Sequence, residues 1–284
     1  MPETKFRKIN NLIGWLLFSA ALVTYGLTVE PTASYWDAGE YISTSAKLQV
    51  GHPPGAPFFQ MMGAVFSMFA SSNESIAIAV NFLSVVSSAF VILFLFWSTT
   101  LFLKKISKKN NFTNDTNILL SSSIGALAFT FSDSFWFNAV ETEVYALAML
   151  FLSATFWCGL RWEKDFNNKR GDKWLLLICF LIGLSFGVHF MAILTIPAIG
   201  MIYFFKKYKK ITIKNFVLAN IISVSILLFI FKLLLPSTLS LFGQLEVFFV
   251  NSIGLPFNSG TIIAAFLIVF FFYKSLSYTK IKGM

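Results

Sequence analysis

Residues 35–57 read YWDAGEYISTSAKLQVGHPPGAP, and they follow closely on an apolar run at 12–29. Two acids, Asp37 and Glu40, stand three residues apart, and His52 precedes two prolines and a glycine. Ionisable side chains beside a bilayer cost free energy and commonly mark a functional site. This stretch is therefore the first candidate for chemistry, and its interpretation depends on how the chain crosses a membrane.

The composition is that of a polytopic α-helical membrane protein. Of the 284 residues, 56% are hydrophobic and only 12% are charged, whereas soluble domains carry roughly 25% charged residues. Several apolar runs approach or exceed the length of about 20 residues that crosses about 30 Å of hydrocarbon. The net charge of +9 comes from short basic clusters between these runs. Such clusters are typical of cytoplasmic loops, so we expect a lipid bilayer as partner and no nucleic acid.

The sequence predicts an all-α fold in a single transmembrane domain over residues 1–284, with about eight spans. A shorter run, 57–70, begins at the proline-rich turn and covers about 20 Å as a helix. It is predicted to be an interfacial helix within a first outer loop over 30–75. Segment 237–260 is apolar but rich in helix breakers, which fits a re-entrant loop. The predicted spans are 12–29, 76–103, 117–133, 145–160, 174–188, 190–205, 215–235 and 261–273.

Basic residues predict the orientation of these spans. Twenty of the 22 Lys and Arg fall in five clusters, at 1–10, 104–116, 161–173, 206–214 and 274–284. Because cytoplasmic loops carry an excess of Lys and Arg, all five clusters and the N-terminus are predicted to face the cytoplasm. The outer face then carries eight of the 13 acids, namely Glu30, Asp37, Glu40, Glu74, Asp133, Glu141, Glu143 and Glu246.

The first outer loop offers a general base and an anion contact. If the loop is helical at Asp37 and Glu40, both carboxylates lie on one face, where each raises the pKa of the other. A partly buried carboxylate of this kind can act as a general base. Acids at the start of a surface helix explain the same spacing equally well. The prolines fix a rigid turn that holds His52 at the membrane surface. There the imidazole could donate to an anionic group, or the segment could be an ordinary interfacial turn.

The second outer loop, at 132–145, combines acids and an amide with aromatic rings. Asp133, Asn138, Glu141 and Glu143 can bond sugar hydroxyls while rings stack on a pyranose face. The aromatic residues alone would fit an interfacial belt. His189, at the tip of a predicted hairpin near 187–189, and Asn251 complete the candidate set, although ordinary caps and turns explain both. No spacing fits a metal or a nucleotide, so we expect no cofactor.

Five motifs resemble a known family over about residues 12–260: WDAGEY, LQVGHPPGAP, SDSFWFNAVETEVYAL, GLSFGVHFMAILTIPA and FFVNSIGLPFNSG. The chain resembles a bacterial domain-of-unknown-function family related to transmembrane protein O-mannosyltransferases, within the GT-C superfamily of membrane glycosyltransferases. The resemblance implies a GT-C-like N-terminal transmembrane module that moves a sugar, mannose above all. It further implies a polyprenyl-phosphate-linked donor and a protein or glycan acceptor on the outer face, with protein O-mannosylation as one form.

The resemblance also implies roles for particular residues. Asp37 falls on the position of the catalytic base, with Glu40 beside it, and His52 falls near the donor phosphate. The location implied is the bacterial inner membrane, with a multi-pass chain and a cytoplasmic N-terminus. Two other functions remain open, because outer acids and broken helices also suit a transporter or lipid flippase, and the chain could be a non-catalytic envelope scaffold.

Overall fold

The computed structural model describes residues 1–53, 55–110, 113–168 and 171–281, and every regular element in these ranges is helical. The prediction of an all-α fold is confirmed. Two π-helical turns occupy Ile230–Leu234 and Phe248–Ser252, and short 3₁₀ helices occupy Asn73–Ser75 and Phe190–Leu194. The α-helices are α1 (Glu3–Leu27), α2 (Ala38–Ala46), α3 (Pro57–Ser67), α4 (Ile76–Asn110), α5 (Asp115–Thr130), α6 (Asp133–Val140), α7 (Val144–Asp165), α8 (Lys173–Ser185), α9 (Thr195–Lys207), α10 (Ile213–Phe229), α11 (Leu235–Val247) and α12 (Ser259–Ile281).

Each of the eight predicted spans overlaps one or more of these helices, with different bounds. Six helical segments of the described chain are long and apolar enough to cross a membrane, and α5 with α6, bent by 64°, is a possible seventh. Helix α8 is apolar but shorter. The polytopic architecture is therefore confirmed, and eight remains an approximate count. The six segments are Glu3–Leu27, Asn73–Ser107, Val144–Asp165, Phe190–Lys207, Ile213–Ser252 and Ser259–Tyr278.

The helices form two compact units, Met1–Asn220 and Ile221–Met284, while the single domain expected from the sequence stays a prediction. In the first unit, α4 packs against α1, α5 and α7, and α7 packs in turn against α8 and α9. Tyr25, Ile92 and Phe96 are fully buried in this core. Gly14 permits the close approach of α1 and α4, because a Cβ there would lie 2.6 Å from Trp97 Nε1.

The first unit has two chemically distinct ends. Glu3 at the start of α1 contacts Lys104 near the end of α4, so these helices run antiparallel, and Lys164 of α7 joins them. We call this the basic end. The opposite end, which we call the acidic end, carries the connections 28–57, 141–143 and 186–189. Helix α7 joins the two ends, and its 22 residues extend over about 33 Å.

The second unit corrects one prediction. Segment 237–260 is not a re-entrant loop from its start, because the helical run Ile213–Ser252 continues through α11. Pro236 lies in the first turn of α11, where a missing N–H is tolerated, and the π-helical turn at Ile230–Leu234 precedes it. The chain breaks only after Ser252, and the Glu246 carboxylate accepts the N–H groups of Asn258 and Thr261 at the start of α12.

Candidate functional site

The expected helix at Asp37 and Glu40 is present. Asp37 immediately precedes α2, and Glu40 lies in its first turn. The Asp37 side chain makes no capping hydrogen bond, and 54% of it is exposed, so its carboxylate remains accessible. The preceding Trp36 adopts a φ of 57° and is 88% exposed. A bulky residue in the left-handed region is strained, and such strain concentrates at functional sites.

His52 lies between Asp37 and Glu40. Its backbone N–H donates to Glu40 Oε1 at 2.5 Å, and its Nδ1 lies 3.1 Å from Glu40 Oε2. The Nε2 atom is 3.8 Å from Asp37 Oδ2. The His52 backbone N–H and side chain hold the pKa of Glu40 below its usual range, and the hydrogen bond that the His52 ring makes to Glu40 raises the pKa of His52. Glu40 therefore orients the His52 ring and favours its cationic form. Pro54, which belongs to the same turn in the sequence, lies outside the described residues.

Glu143 approaches Asp37 from the second predicted loop. The residue is 6% exposed, and backbone N–H groups of Asp37 and Val144 donate to its carboxylate. Burial first, and then the charges of Asp37 and Glu141, raise the pKa of Glu143 to about 7. Tyr41 is close by, and burial together with the nearby acids raises its pKa to about 12. The structure thus brings together residues more than 100 positions apart in the sequence.

Asn81 of α4 forms hydrogen bonds to two connections of the acidic end, 28–57 and 141–143. This residue is 1% exposed, and its Nδ2 donates to the carbonyl oxygens of Glu30, at 2.6 Å, and Thr32, at 3.0 Å. Its Oδ1 accepts from the Thr142 hydroxyl. Glu141 beside it is also buried and accepts from the Ser34 hydroxyl at 2.5 Å. Burial raises the pKa of Glu141, and the donor that holds this carboxyl is the neutral Ser34 hydroxyl.

His189 lies on the third connection of the acidic end. Phe58 and Phe59 at the start of α3 donate their backbone N–H groups to the Gly187 carbonyl, at 2.7 and 3.1 Å. A Cβ on Gly187 would lie 2.6 Å from Phe58 Cβ, so only glycine fits this contact. The His189 ring packs on Tyr145 with centroids 5.5 Å apart, and burial lowers its pKa. Its Nδ1 is buried without a hydrogen-bond partner among the described residues.

The remaining candidates lie apart from the cluster of Asp37, Glu40, His52 and Glu143. Asn138 lines a cavity of about 430 Å³ with Tyr145 and Met191. Asp133 is exposed at the start of α6, and Asn251 belongs to the second unit. The sugar-binding or phosphate-binding roles of Asp133, Asn138, Glu141, Glu143, His189 and Asn251 stay predictions.

Two residues of the site were not singled out from the sequence. Tyr41 follows Glu40 directly, and nothing in its local pattern separates it from an ordinary interfacial tyrosine. Asn81 had a usable signal, because it is a lone amide inside the apolar run 76–103. A polar side chain inside a span usually has a specific partner.

The same cluster has the donor set of a cation site. Ligand atoms of Asp37, Glu40 and His52 all lie within 4.8 Å of one another, and carboxylate oxygen with imidazole nitrogen suits a divalent ion. Glu40 already accepts two hydrogen bonds from His52. The expectation of chemistry without a metal stays a prediction.

Comparison with known proteins identifies relatives of the first unit. Residues 37–212, more than half of the chain, match the family model described as the protein O-mannosyl-transferase TMEM260 N-terminal domain. The protein O-mannosyl-transferase tmem260 of Dictyostelium discoideum is 30% identical over 158 residues, which are 55% of this chain and 18% of that protein. The protein O-mannosyl-transferase TMEM260 of Mus musculus is 26% identical over 170 residues, or 60% and 22%. The matched region spans about a fifth of these relatives, and no solved structure matches the chain.

Proposed function

Because the chain belongs to the family of the protein O-mannosyl-transferase TMEM260 N-terminal domain, we propose that it is a GT-C-type membrane glycosyltransferase. It moves mannose from a polyprenyl-phosphate donor to a protein or glycan hydroxyl, with protein O-mannosylation as the first candidate. One observation carries the proposal: the acidic end brings Asp37, Glu40, His52 and Glu143 together from two distant connections. We place this end on the outer side of a bacterial inner membrane, with the N-terminus in the cytoplasm.

In the proposed reaction, Asp37 takes the proton from the acceptor hydroxyl as its oxygen attacks the anomeric carbon. The bond from that carbon to the phosphate oxygen breaks, and polyprenyl phosphate leaves with the electron pair. The exposed Asp37 carboxylate can reach an acceptor that arrives from solvent. Since proton removal and bond cleavage are concerted, the base must lie on the acceptor side of the sugar.

His52 supplies the positive charge that the leaving phosphate requires. Its bond to Glu40 raises its pKa, so the imidazolium persists above the ordinary pKa of 6.5. A cation placed where negative charge develops lowers the barrier. Glu40 acts through His52, because its oxygens accept the His52 backbone N–H and face Nδ1. Few other cations are available, since Lys47 is the only Lys or Arg between residues 9 and 103.

Glu143 and the cavity beside Tyr145 suit the two parts of the donor. With a pKa of about 7, Glu143 is partly protonated at neutral pH and can both donate to and accept from sugar hydroxyls. The cavity of about 430 Å³ is lined by Phe129, Phe135, Met149 and Met191 as well as Asn138 and Tyr145. Its apolar wall would hold the first isoprene units while its polar residues lie towards the acidic end.

The test uses the full chain in liposomes with radiolabelled polyprenyl-phosphate mannose and a Ser/Thr-rich acceptor peptide. Asp37→Asn keeps the size of the side chain but removes its basicity, and we expect at least about a hundredfold loss of transfer. The matched control is Glu74→Gln, which neutralises another acid on the outer loop outside the cluster. Normal transfer by Asp37→Asn would show that Asp37 is not the base. Lipid movement without any sugar transfer would favour the flippase alternative.

Orientation needs a separate test, which starts from a Cys158→Ala/Cys179→Ala chain because these are its two cysteines. A cysteine placed at exposed Ser43 of α2 should react with an impermeant thiol reagent in intact cells. A cysteine at Lys209, just beyond the end of α9, should react only after the cells are opened. The reverse pattern would place the acidic end in the cytoplasm.

A further inference from the structure

The basic end contains two adjoining cavities that the proposed reaction does not use. They have volumes of about 570 and 270 Å³ and share Glu3, Leu101, Lys104 and Lys164 in their walls. Two acids, Glu3 and Glu163, face this joint space. Six cations line it: Arg7, Lys104, Lys105, Arg161, Lys164 and Lys206. The excess of positive charge favours an anionic ligand.

Two residues that line the smaller cavity carry a buried hydrogen-bond donor without a partner among the described residues. Trp97 Nε1 and Arg161 Nε are both buried, and neither has a hydrogen-bond partner in the described part of the chain. A buried donor left unpaired costs about 1–3 kcal/mol. An anion in the cavity would bring a counter-charge to the cations that line it, Arg161 among them.

The ion pairs at this end leave some positive charge uncompensated. The Glu3 carboxylate bridges Lys104 at 2.8 Å and Lys164 at 3.3 Å, so one carboxylate serves two cations. Arg7 and Lys206 make no ion pair with any described residue, although both line the cavities. Arg7 and Lys206 can therefore bind a phosphate without breaking an existing ion pair.

An apolar groove continues from the larger basic cavity. This groove, of about 330 Å³, shares Phe102 with that cavity and is lined mainly by apolar side chains, including Val91, Leu95, Met149 and Phe156. From Phe102 to Val91 it follows α4 for about 16 Å, which is the scale of an acyl chain. A basic cavity joined to an apolar groove matches the two parts of an amphiphile.

We propose that the basic end binds one anionic phospholipid. Its headgroup phosphate occupies the joined basic cavities, and one acyl chain lies in the groove between α4, α5 and α7. Basic pockets between transmembrane helices recognise anionic headgroups in this way. The site does not depend on the proposed transfer reaction, because it lies at the opposite end of the unit from Asp37.

The experiment is native mass spectrometry of the full chain, released from detergent after incubation with defined lipids. We expect one retained phosphatidylglycerol and about tenfold weaker retention of phosphatidylcholine, whose headgroup has no net charge. Arg7→Gln/Lys206→Gln removes two cations that form no ion pair, and it should weaken phosphatidylglycerol retention about tenfold. Lys209→Gln/Lys210→Gln is the charge-matched control, since these exposed lysines line neither cavity.

The groove is tested separately from the headgroup site. Leu95→Trp fills the groove, so it should weaken retention of long-chain phosphatidylglycerol and leave the dihexanoyl form and inorganic phosphate unaffected. Equal retention of the two long-chain headgroups, or equal losses in the pocket and control variants, would overturn the anionic site. If Leu95→Trp has no effect and inorganic phosphate competes fully, the ligand is a free phosphate compound and the lipid assignment is wrong.

Discussion

The two ends of the first unit differ in how their carboxylates are paired. At the basic end, four carboxylates lie within 4 Å of a cation, and one example is the pair of Glu163 with Lys105 at 2.5 Å. At the acidic end, no described Lys or Arg lies within ion-pair distance of the clustered acids, and His52 is their one cationic partner. The four paired acids are Glu3, Asp115, Glu163 and Asp165.

This contrast indicates where chemistry can occur. An acid paired with Lys or Arg is held in its charged form and is a weak proton acceptor. An acid held by N–H and O–H donors keeps a pKa that its surroundings can tune, as burial does for Glu141 and Glu143. The predictions below therefore compare the acidic end, which is held by neutral polar groups, with the basic end, which is held by ion pairs.

The largest stability effect is expected at the buried amide of the acidic end. Asn81→Leu keeps approximate size but leaves the Thr142 hydroxyl and the Glu30 and Thr32 carbonyls without their partner. Unpaired buried groups should lower the free energy of unfolding by about 2–4 kcal/mol in total. Thermal unfolding in detergent measures the loss. As control, Asn138→Leu removes an amide that bonds only within its own helix, to the Ser134 carbonyl, and a loss as large as that of Asn81→Leu would contradict the bracing role.

A smaller effect concerns the pH dependence that Glu143 gives to stability. Its pKa is about 7 in the folded chain and 4.5 ordinarily, so the folded state binds the proton more tightly. Stability should therefore fall as pH rises from about 4.5 to 7 and then stay level. Glu143→Gln removes this slope and should stabilise the chain at pH 8 by about 1–3 kcal/mol. Unfolding scans at pH 4.5 and pH 8 check this, and an unchanged slope in the variant would assign the effect to another group.

The predictability of the helices follows from the apolar runs themselves. A run of about 20 apolar residues in lipid must satisfy its backbone internally, and a helix does so. This is why α1, α4, α7 and α12 overlap the apolar runs. Segment 237–260 was misjudged because its breakers are grouped near its end. Gly254 and Pro256 lie in the break after Ser252, whereas Gly243 lies inside α11, where the helix tolerates it.

The site was only partly predictable, because its contacts join distant parts of the chain. Asp37, Glu40 and His52 were nominated from a local motif, an acid pair followed by a rigid turn, but the contact of His52 with both acids was not predicted. The approach of Glu143 to Asp37 depends on how α4 and α7 pack, and on the buried Asn81 that links their connections. Periodicity along one segment carries no information about such tertiary bonds. The second loop could therefore be identified as a candidate for the site, but its position next to Asp37 could not be predicted.

The pKa values of the two histidines, both at the acidic end, test the electrostatics of that end directly. Glu40 raises the pKa of His52, whereas burial lowers the pKa of His189, both from an ordinary value of 6.5. In a histidine-labelled sample, NMR should therefore show two titrations, one on each side of 6.5. Glu40→Gln should bring the His52 titration down and leave His189 unmoved, and His189→Asn assigns the signals. Titrations in the reverse order would contradict the orienting role of Glu40.

The smallest effect is expected at the ion pair between Lys105 and Glu163. The Lys105 side chain is 58% exposed, and solvent and salt screen such a pair, so it contributes only about 0.2–1 kcal/mol. A double-mutant cycle with Lys105→Gln and Glu163→Gln measures this coupling by thermal unfolding, at low and at high salt. A coupling as large as the loss in Asn81→Leu would remove the contrast between the ends. A small, salt-sensitive coupling would instead support the view that the basic end holds its charges loosely enough to engage a ligand, while neutral buried groups hold the acidic end rigid for chemistry.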